Sequence, residues 1–201
     1  MIGYDEALSI MLREARPLSS ETCLSAQALG RILAAPVASP AALPPFDNSA
    51  MDGFALAAGA RTLRAGSRFD VRGTQVAGDA HADAQHDVQA AWEITTGARV
   101  PDGFDTIVPV EQVERLEPDD SSMRIRLTAD VAPAQHIRRR GEDVPMGAEV
   151  LRAGDCIAPQ QLMLLAALGV AEVDVSCRPK VAILTTGREL VDDPGQPLAS
   201  G

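Results

Sequence analysis

Phe46-Asp47-Asn48-Ser49-Ala50-Met51-Asp52-Gly53-Phe54 is the stretch on which the reading of this chain turns. Before it lie Pro40, Pro44 and Pro45, a proline-punctuated linker, and beyond it the sequence alternates as strands do. Two carboxylates, an amide and a hydroxyl fall within six positions, bracketed by aromatics. Spacing alone favours a turn, because Asp47, Asn48 and Ser49 are turn formers and Gly53 supplies φ freedom. Ala50 and Met51, however, interrupt the polar cluster, as when one side of a loop is packed and the other presented. A carboxylate held on such a loop can bind a metal or act as a base.

On the amino-terminal side, Tyr4, Leu8, Met11, Leu12 and Ala15 recur at helical spacing. Asp5 and Glu6 lie in the first turn, Arg13 and Arg16 at the far end, and Pro17 stops the run. A second helix is expected from Ser25, which can cap it, with Leu24 stapled onto Leu29, Gly30 inside it and an end before Pro36. Both helices are short and need a partner surface. On the carboxyl side, candidate strands cover 68–73, 88–95, 106–110 and 123–129, separated by Gly, Asp and Pro clusters. Residues 148–158 read as short strands around Ala153-Gly154-Asp155. Gln160 to Leu168 is helical, Gly169 ends it, and Val170 to Val175 is a strand. After Pro179, Lys180-Val181-Ala182-Ile183-Leu184 is an unbroken apolar strand entering a Thr/Gly turn, the way a buried parallel strand opens an α/β domain.

The expected architecture is therefore α+β and multidomain. Residues 1–42 and 133–177 form a discontinuous helix-and-strand domain, 43–132 an inserted, mostly β domain, and 178–201 the first strand of a truncated α/β domain. Pro197-Leu198-Ala199-Ser200-Gly201 does not read as the end of a domain.

Composition narrows the function. The chain has 201 residues, 18 Lys+Arg against 28 Asp+Glu, and a net charge of -10. A nucleic-acid footprint is basic, so this balance argues against one, and against a polybasic membrane-surface protein. Six aromatic residues leave little for base-stacking platforms. Cys23, Cys156 and Cys177 show neither metal-ligand nor disulfide spacing, and are expected as free buried thiols in a reducing compartment. No signal peptide opens the chain, and Leu162 to Val170 is too short to span a bilayer, so a cytoplasmic protein is expected.

Three further segments can carry chemistry. Thr95-Thr96-Gly97-Ala98-Arg99-Val100-Pro101 follows a strand, where hydroxyls and a glycine backbone can approach phosphate oxygens; an ordinary hairpin end is the alternative. His136-Ile137-Arg138-Arg139-Arg140-Gly141-Glu142-Asp143 is the only dense basic run in an acidic chain. It is either a solvated surface run or, with Gly141 and two acids following at once, an ion-pair network or an anion site, since arginine favours bidentate recognition of phosphate or carboxylate. Thr185-Thr186-Gly187-Arg188-Glu189-Leu190 stands at the carboxyl end of the last apolar strand, where open α/β sheets bind ligands. There Glu189 either serves a site or stabilises a helix dipole. His81 and His86 lack ligand spacing.

Taken together, these blocks resemble one family. Pro45 to Phe54 is similar to the signature of the molybdopterin molybdenumtransferases, the MoeA and gephyrin E-domain family. Ile94 to Pro101, Ile137 to Asp143, Thr186 to Leu190 and Pro194 to Leu198 follow in the family's order, and Ala28 to Leu33 matches as well. The resemblance implies a protein about twice this length, with four domains and an elongated homodimer in which the β domain completes the partner's active site. It implies insertion of molybdate into the dithiolene of adenylylated molybdopterin, with release of AMP and help from a divalent cation such as Mg²⁺. Molybdopterin adenylyltransferase and molybdoenzyme-maturation proteins are the implied partners.

By the same resemblance Asp52, Asp143 and Glu189 are catalytic, and Asp52 and Asp143 hold the metal. Ser49, Thr96, Arg138, Arg139, Arg140, Thr186 and Gly187 bind substrate. Where the family commonly reads T-G-D-E-L this chain reads Thr186-Gly187-Arg188-Glu189-Leu190, which speaks against a metal role at 188 and favours phosphate. A non-catalytic dimeric scaffold or cofactor carrier of the same fold is the alternative, and a carbohydrate- or nucleotide-binding β module a third. The intact acids at 52, 143 and 189 favour an enzyme.

Overall fold

The first helix forms where the charge pattern places it. α1 spans Tyr4–Glu14, with Asp5 and Glu6 in its first turn and Arg13 in its last, and none of its residues is buried. The computed structural model describes residues 2–80, 87–116, 123–187, 190, 191, 193 and 195. His81, His86, Arg188 and Glu189 lie outside the described residues.

The second helix does not form. Ser20–Leu24 is instead a strand, β1, and Ser25–Gln27 a single 3₁₀ turn. Tertiary pairing overrides the helical spacing: the N–H groups of Gly30 and Leu33 donate to the carbonyls of Ile157 and Asp155. The Ser25 hydroxyl donates to the Val170 carbonyl at 2.7 Å, and Gly30 takes the left-handed backbone (φ 75). Leu24 and Leu29 are exposed rather than stapled together.

Two short strands follow, β2 (Val37–Ala38) and β3 (Asn48–Ser49). Then come β4 (Gly53–Leu56), β5 (Arg68–Gln75), β6 (Ala90–Ile94), β7 (Thr106–Pro109), β8 (Val113–Leu116) and β9 (Arg124–Leu127). These six make one mixed sheet in the order β7-β4-β6-β5-β9-β8, with only β5 and β6 parallel. Phe54, Leu56, Phe69, Ile125 and Leu127 pack on one side of it, and Ala55, Ile94, Phe104 and Ile107 on the other. Every residue of β4 is buried, which is why Gly53-Phe54-Ala55-Leu56 shows no alternation in the sequence.

Beyond the sheet lie β10 (Ile137–Arg138), β11 (Glu149–Leu151), α2 (Pro159–Ala167) and β12 (Glu172–Ser176). β12 pairs antiparallel with β1, β11 with β2, and β10 with β3. Residues from both ends of the chain thus share one core, in which Ala28, Leu33, Leu151, Ile157, Leu165 and Val175 are buried together. The architecture is α+β.

Lys180 to Leu184 is not a strand. Val181, Ile183 and Leu184 are 79%, 86% and 89% exposed, and no described residue pairs with them. An apolar strand is held by neighbours on both edges and layers on both faces, and the described residues supply it with neither. The cysteines are free but not buried, since Cys156 is exposed and Cys23 and Cys177 half-buried. No described helix is long and apolar enough to cross a membrane.

Ile125 and Ile157 sit fully buried in separate clusters. Ile125→Val and Ile157→Val are each expected to cost about 0.5–1.5 kcal/mol in urea denaturation. In the double variant the losses should add to within about 0.5 kcal/mol, because the two sites share no packing partner.

Candidate functional site

The signature stretch is organised by its own polar residues. Ser49 is buried, and its hydroxyl donates to the Met51 carbonyl at 2.6 Å and accepts the Met51 N–H at 3.2 Å. It fixes the turn, and that commits the hydroxyl expected to meet substrate. With the backbone turned there, Asp52 leaves the loop exposed, immediately before Gly53 enters the sheet between β7 and β6.

Thr96 meets it from the end of β6. The Thr96 N–H donates to Asp52 Oδ1 at 2.7 Å and the Thr96 hydroxyl to the same oxygen at 3.0 Å. The backbone N–H first, and then the hydroxyl, hold the Asp52 carboxyl below its ordinary value. Two motif blocks 44 residues apart are therefore clasped through one carboxylate oxygen. Oδ2 has no hydrogen-bond partner among the described residues. Beside the clasp lies a hollow of about 330 Å³ lined by Asp52, Phe54, Thr74, Glu93, Thr95 and Val110.

The arginine run is a second unit. Its entry is pinned to the sheet: Ala134 N–H donates to the Thr106 hydroxyl, Ile107 N–H to the Gln135 carbonyl and Ala50 N–H to the His136 carbonyl. Arg138 forms ion pairs with Glu142 at 3.0 Å and with Asp143. Asp143 first and Glu142 second push the guanidinium pKa further up. Arg139 reaches back to Asp47 at 2.7 Å, and the Arg140 N–H donates to the other Asp47 oxygen at 2.8 Å. The alternatives left open for this run thus resolve toward an ion-pair network, with Arg140's guanidinium outside it.

Asp47 and Glu142 are site residues that carried no assigned role. Asp47 was visible as the first of the two carboxylates in the loop, but nothing local says that its partners lie at 139 and 140. The Arg140 N–H, and after it the Arg139 guanidinium, hold Asp47 below its ordinary carboxylate value against the opposing effect of burial. A depressed native pKa means stability present above the unfolded value of 3.8 and lost as pH falls through the lower native one. Asp47→Asn should therefore destabilise the protein at neutral pH, with the gap to the parent closing as the pH is taken below about 4. Denaturation midpoints of both proteins across that range measure it.

Asp52 and Asp143 share no partner, and the described residues contain no group of three or more His, Cys, Asp or Glu able to hold an ion. Asp143 is already engaged by Arg138, which it shares with Glu142. Asp52 is different: one oxygen is fixed and the other open, which suits a cation that takes one or two carboxylates and fills its remaining positions with water and substrate oxygens. Thr186 and Gly187 lie exposed outside any helix or strand, and no described hydrogen bond ties them to the Asp52 or Arg138 units.

Residues 2–169 match the family described as the MoeA N-terminal region, domains I and II. The chain belongs to that family. Among MoeA relatives, a molybdopterin molybdenumtransferase of Haemophilus influenzae is 39% identical over all of this chain and 48% of its own length. A gephyrin of Dictyostelium discoideum is 30% identical over 96% of this chain and 28% of its own. The crystal structure of a molybdopterin biosynthesis moeA protein from Pyrococcus horikoshii OT3 superposes with a TM-score of 0.85 at 34% identity, covering 98% of this chain and 51% of that one. The chain spans about half the length of the molybdenumtransferases it matches.

Proposed function

We propose that the chain is the amino-terminal part of a molybdopterin molybdenumtransferase, acting in molybdenum cofactor biosynthesis. In this reading molybdate enters the dithiolene of adenylylated molybdopterin and AMP is released. The observation that carries it is the Asp52–Thr96 clasp, which joins the family's first two motif blocks and leaves one carboxylate oxygen open beside a hollow. The reaction class is supported by the relatives that are molybdopterin molybdenumtransferases.

Molybdate and pyrophosphate are both anionic, so an ionised Asp52 is misplaced as their direct ligand. Mg²⁺ or another divalent cation, held by Asp52 with substrate oxygens and water, would neutralise charge on the departing phosphate. Thr96 orients the Asp52 carboxylate and keeps it ionised. Arg138, locked between Glu142 and Asp143, holds Asp143 in place with one positive charge shared between two carboxylates. Glu189, Thr186 and Gly187 complete the substrate-binding edge.

The domain division proposed is 1–42 with 133–177, 43–132, and 178–201. A second copy of the chain would complete the site in a homodimer. Molybdopterin adenylyltransferase would supply the substrate, maturation proteins would receive the product, and the setting would be the cytoplasm. Molybdate-dependent AMP release by the complete polypeptide, compared with its Asp52→Asn variant, tests the reading.

A further inference from the structure

Between the sheet and β10 the chain passes through Ala134-Gln135-His136, a strap tied to β7, the edge strand of the six-stranded sheet. The Ala134 N–H donates at 2.7 Å to the hydroxyl of Thr106, a fully buried residue, and the Gln135 carbonyl accepts the Ile107 N–H at 3.0 Å. The His136 carbonyl serves the signature turn instead, accepting the Ala50 N–H at 2.8 Å. Among the described residues, the non-glycine residues with left-handed backbone are Ala134 (φ 58) and His136 (φ 54), and both lie on this strap. Such residues are uncommon, with histidine and asparagine better tolerated than most, and they persist where surrounding contacts over-determine them. Three hydrogen bonds from three consecutive residues do so here.

The bond to Ala50 falls where it bears on Asp52. On its other side the signature turn is held by the segment that carries Thr96: the Ser49 N–H donates to the Ala98 carbonyl at 3.0 Å, and the Gly97 N–H to the Ser49 carbonyl at 2.8 Å. Beyond the pairing of Ser49 with Ile137, the bond from Ala50 to His136 is the last main-chain tie to the strap before Asp52. With residues 134 and 135 pinned to β7, a negative φ at 136 would swing its carbonyl away from Ala50 and release that anchor. The imidazole has no hydrogen-bond partner among the described residues.

We propose that His136 is a positioning residue for Asp52, acting through its left-handed backbone and its carbonyl rather than through its imidazole. For its part in the reaction the proposal rests on the Asp52 reading. The geometry it asserts, from strap to turn to clasp, is testable without turnover.

Two measurements are made on the complete polypeptide: hydrogen exchange at the Thr96 amide, which reports the clasp, and single-turnover AMP release. His136→Asn and His136→Gly, whose new residues accept left-handed backbone, should stay within about twofold of the parent in both. A β-branched residue is an outlier there, so His136→Val should speed Thr96 exchange and slow AMP release, each about tenfold or more, with His136→Ala between. Ile157→Val, a lesion in the other core, controls for lost stability alone and should leave Thr96 exchange at its parental rate. If His136→Val does not fold, His136→Ala set against His136→Asn carries the comparison. His136→Asn and His136→Gly as impaired as His136→Ala would assign the role to the imidazole and overturn the proposal. Parental Thr96 exchange in both His136→Val and His136→Ala, or equal acceleration in Ile157→Val, would overturn it too. A parent that releases no AMP would sink the Asp52 reading instead, with Thr96 exchange still deciding whether His136 positions the carboxylate.

Discussion

Gly53→Ala is expected to unfold the six-stranded sheet, or to lower its stability by more than about 4 kcal/mol. A Cβ on residue 53 would stand 2.0 Å from the Val108 carbonyl oxygen and 2.9 Å from its carbon. Overpacking against side chains costs about 1–3 kcal/mol because rotamers can yield. Here the obstacle is backbone, and the strand cannot retreat. Gly53 is registered with Pro109 of β7 on one side and with Ile94 of β6 on the other, so relief at one edge breaks the other. Urea denaturation of parent and variant measures the effect, and a loss below about 1 kcal/mol would mean that β4 and β7 are not so closely paired. The requirement is for closeness rather than for an unusual dihedral.

Asp52→Asn should leave folding intact and reduce turnover about a hundred- to a thousandfold, the range for removing one charged or polar group that acts on developing charge. The substitution keeps the size of the side chain, and the amide carbonyl can still accept the Thr96 N–H that now goes to Oδ1. What it removes is the negative charge at the open oxygen. The residue is exposed, so its stability contribution is small, and the variant separates chemistry from scaffolding. In the proposed function Thr96 acts one step back, through the carboxylate it holds.

Much of the sheet was legible in the sequence. Arg68 to Gln75, Ala90 to Ile94, Thr106 to Pro109 and Arg124 to Leu127 fall where alternation and turn residues place strands. Gly53 to Leu56 escaped because a strand buried on both faces has no period-2 signal. The helix expected from Ser25 does not form, and Ser20 to Leu24 before it pairs as a strand. The deciding partners, Glu172 to Ser176 and Asp155 to Ile157, lie more than 120 residues away. Local propensity carries no information about such pairing. Lys180 to Leu184 fails for the opposite reason: its intrinsic preference is right for a strand, but a strand needs neighbours.

The site follows the same division. Asp52, Thr96 and the arginine run stand out by residue type and by resemblance. That Thr96 clasps Asp52, that Asp47 rather than Asp52 receives Arg139, and that Arg99 shares a cleft with Arg140 are facts of the fold. No spacing rule connects positions 47, 99 and 140. They meet because β3 pairs with β10 and bridges to Arg99 at once.

In the proposed function the Asp52 carboxylate serves the insertion chemistry. Single-turnover release of AMP from adenylylated molybdopterin, with molybdate and Mg²⁺ supplied to the complete polypeptide, tests it most directly. Molybdate-dependent AMP release by the parent is expected, with a loss of about a hundredfold or more in Asp52→Asn and unchanged thermal unfolding. Equal rates in the two proteins would contradict it.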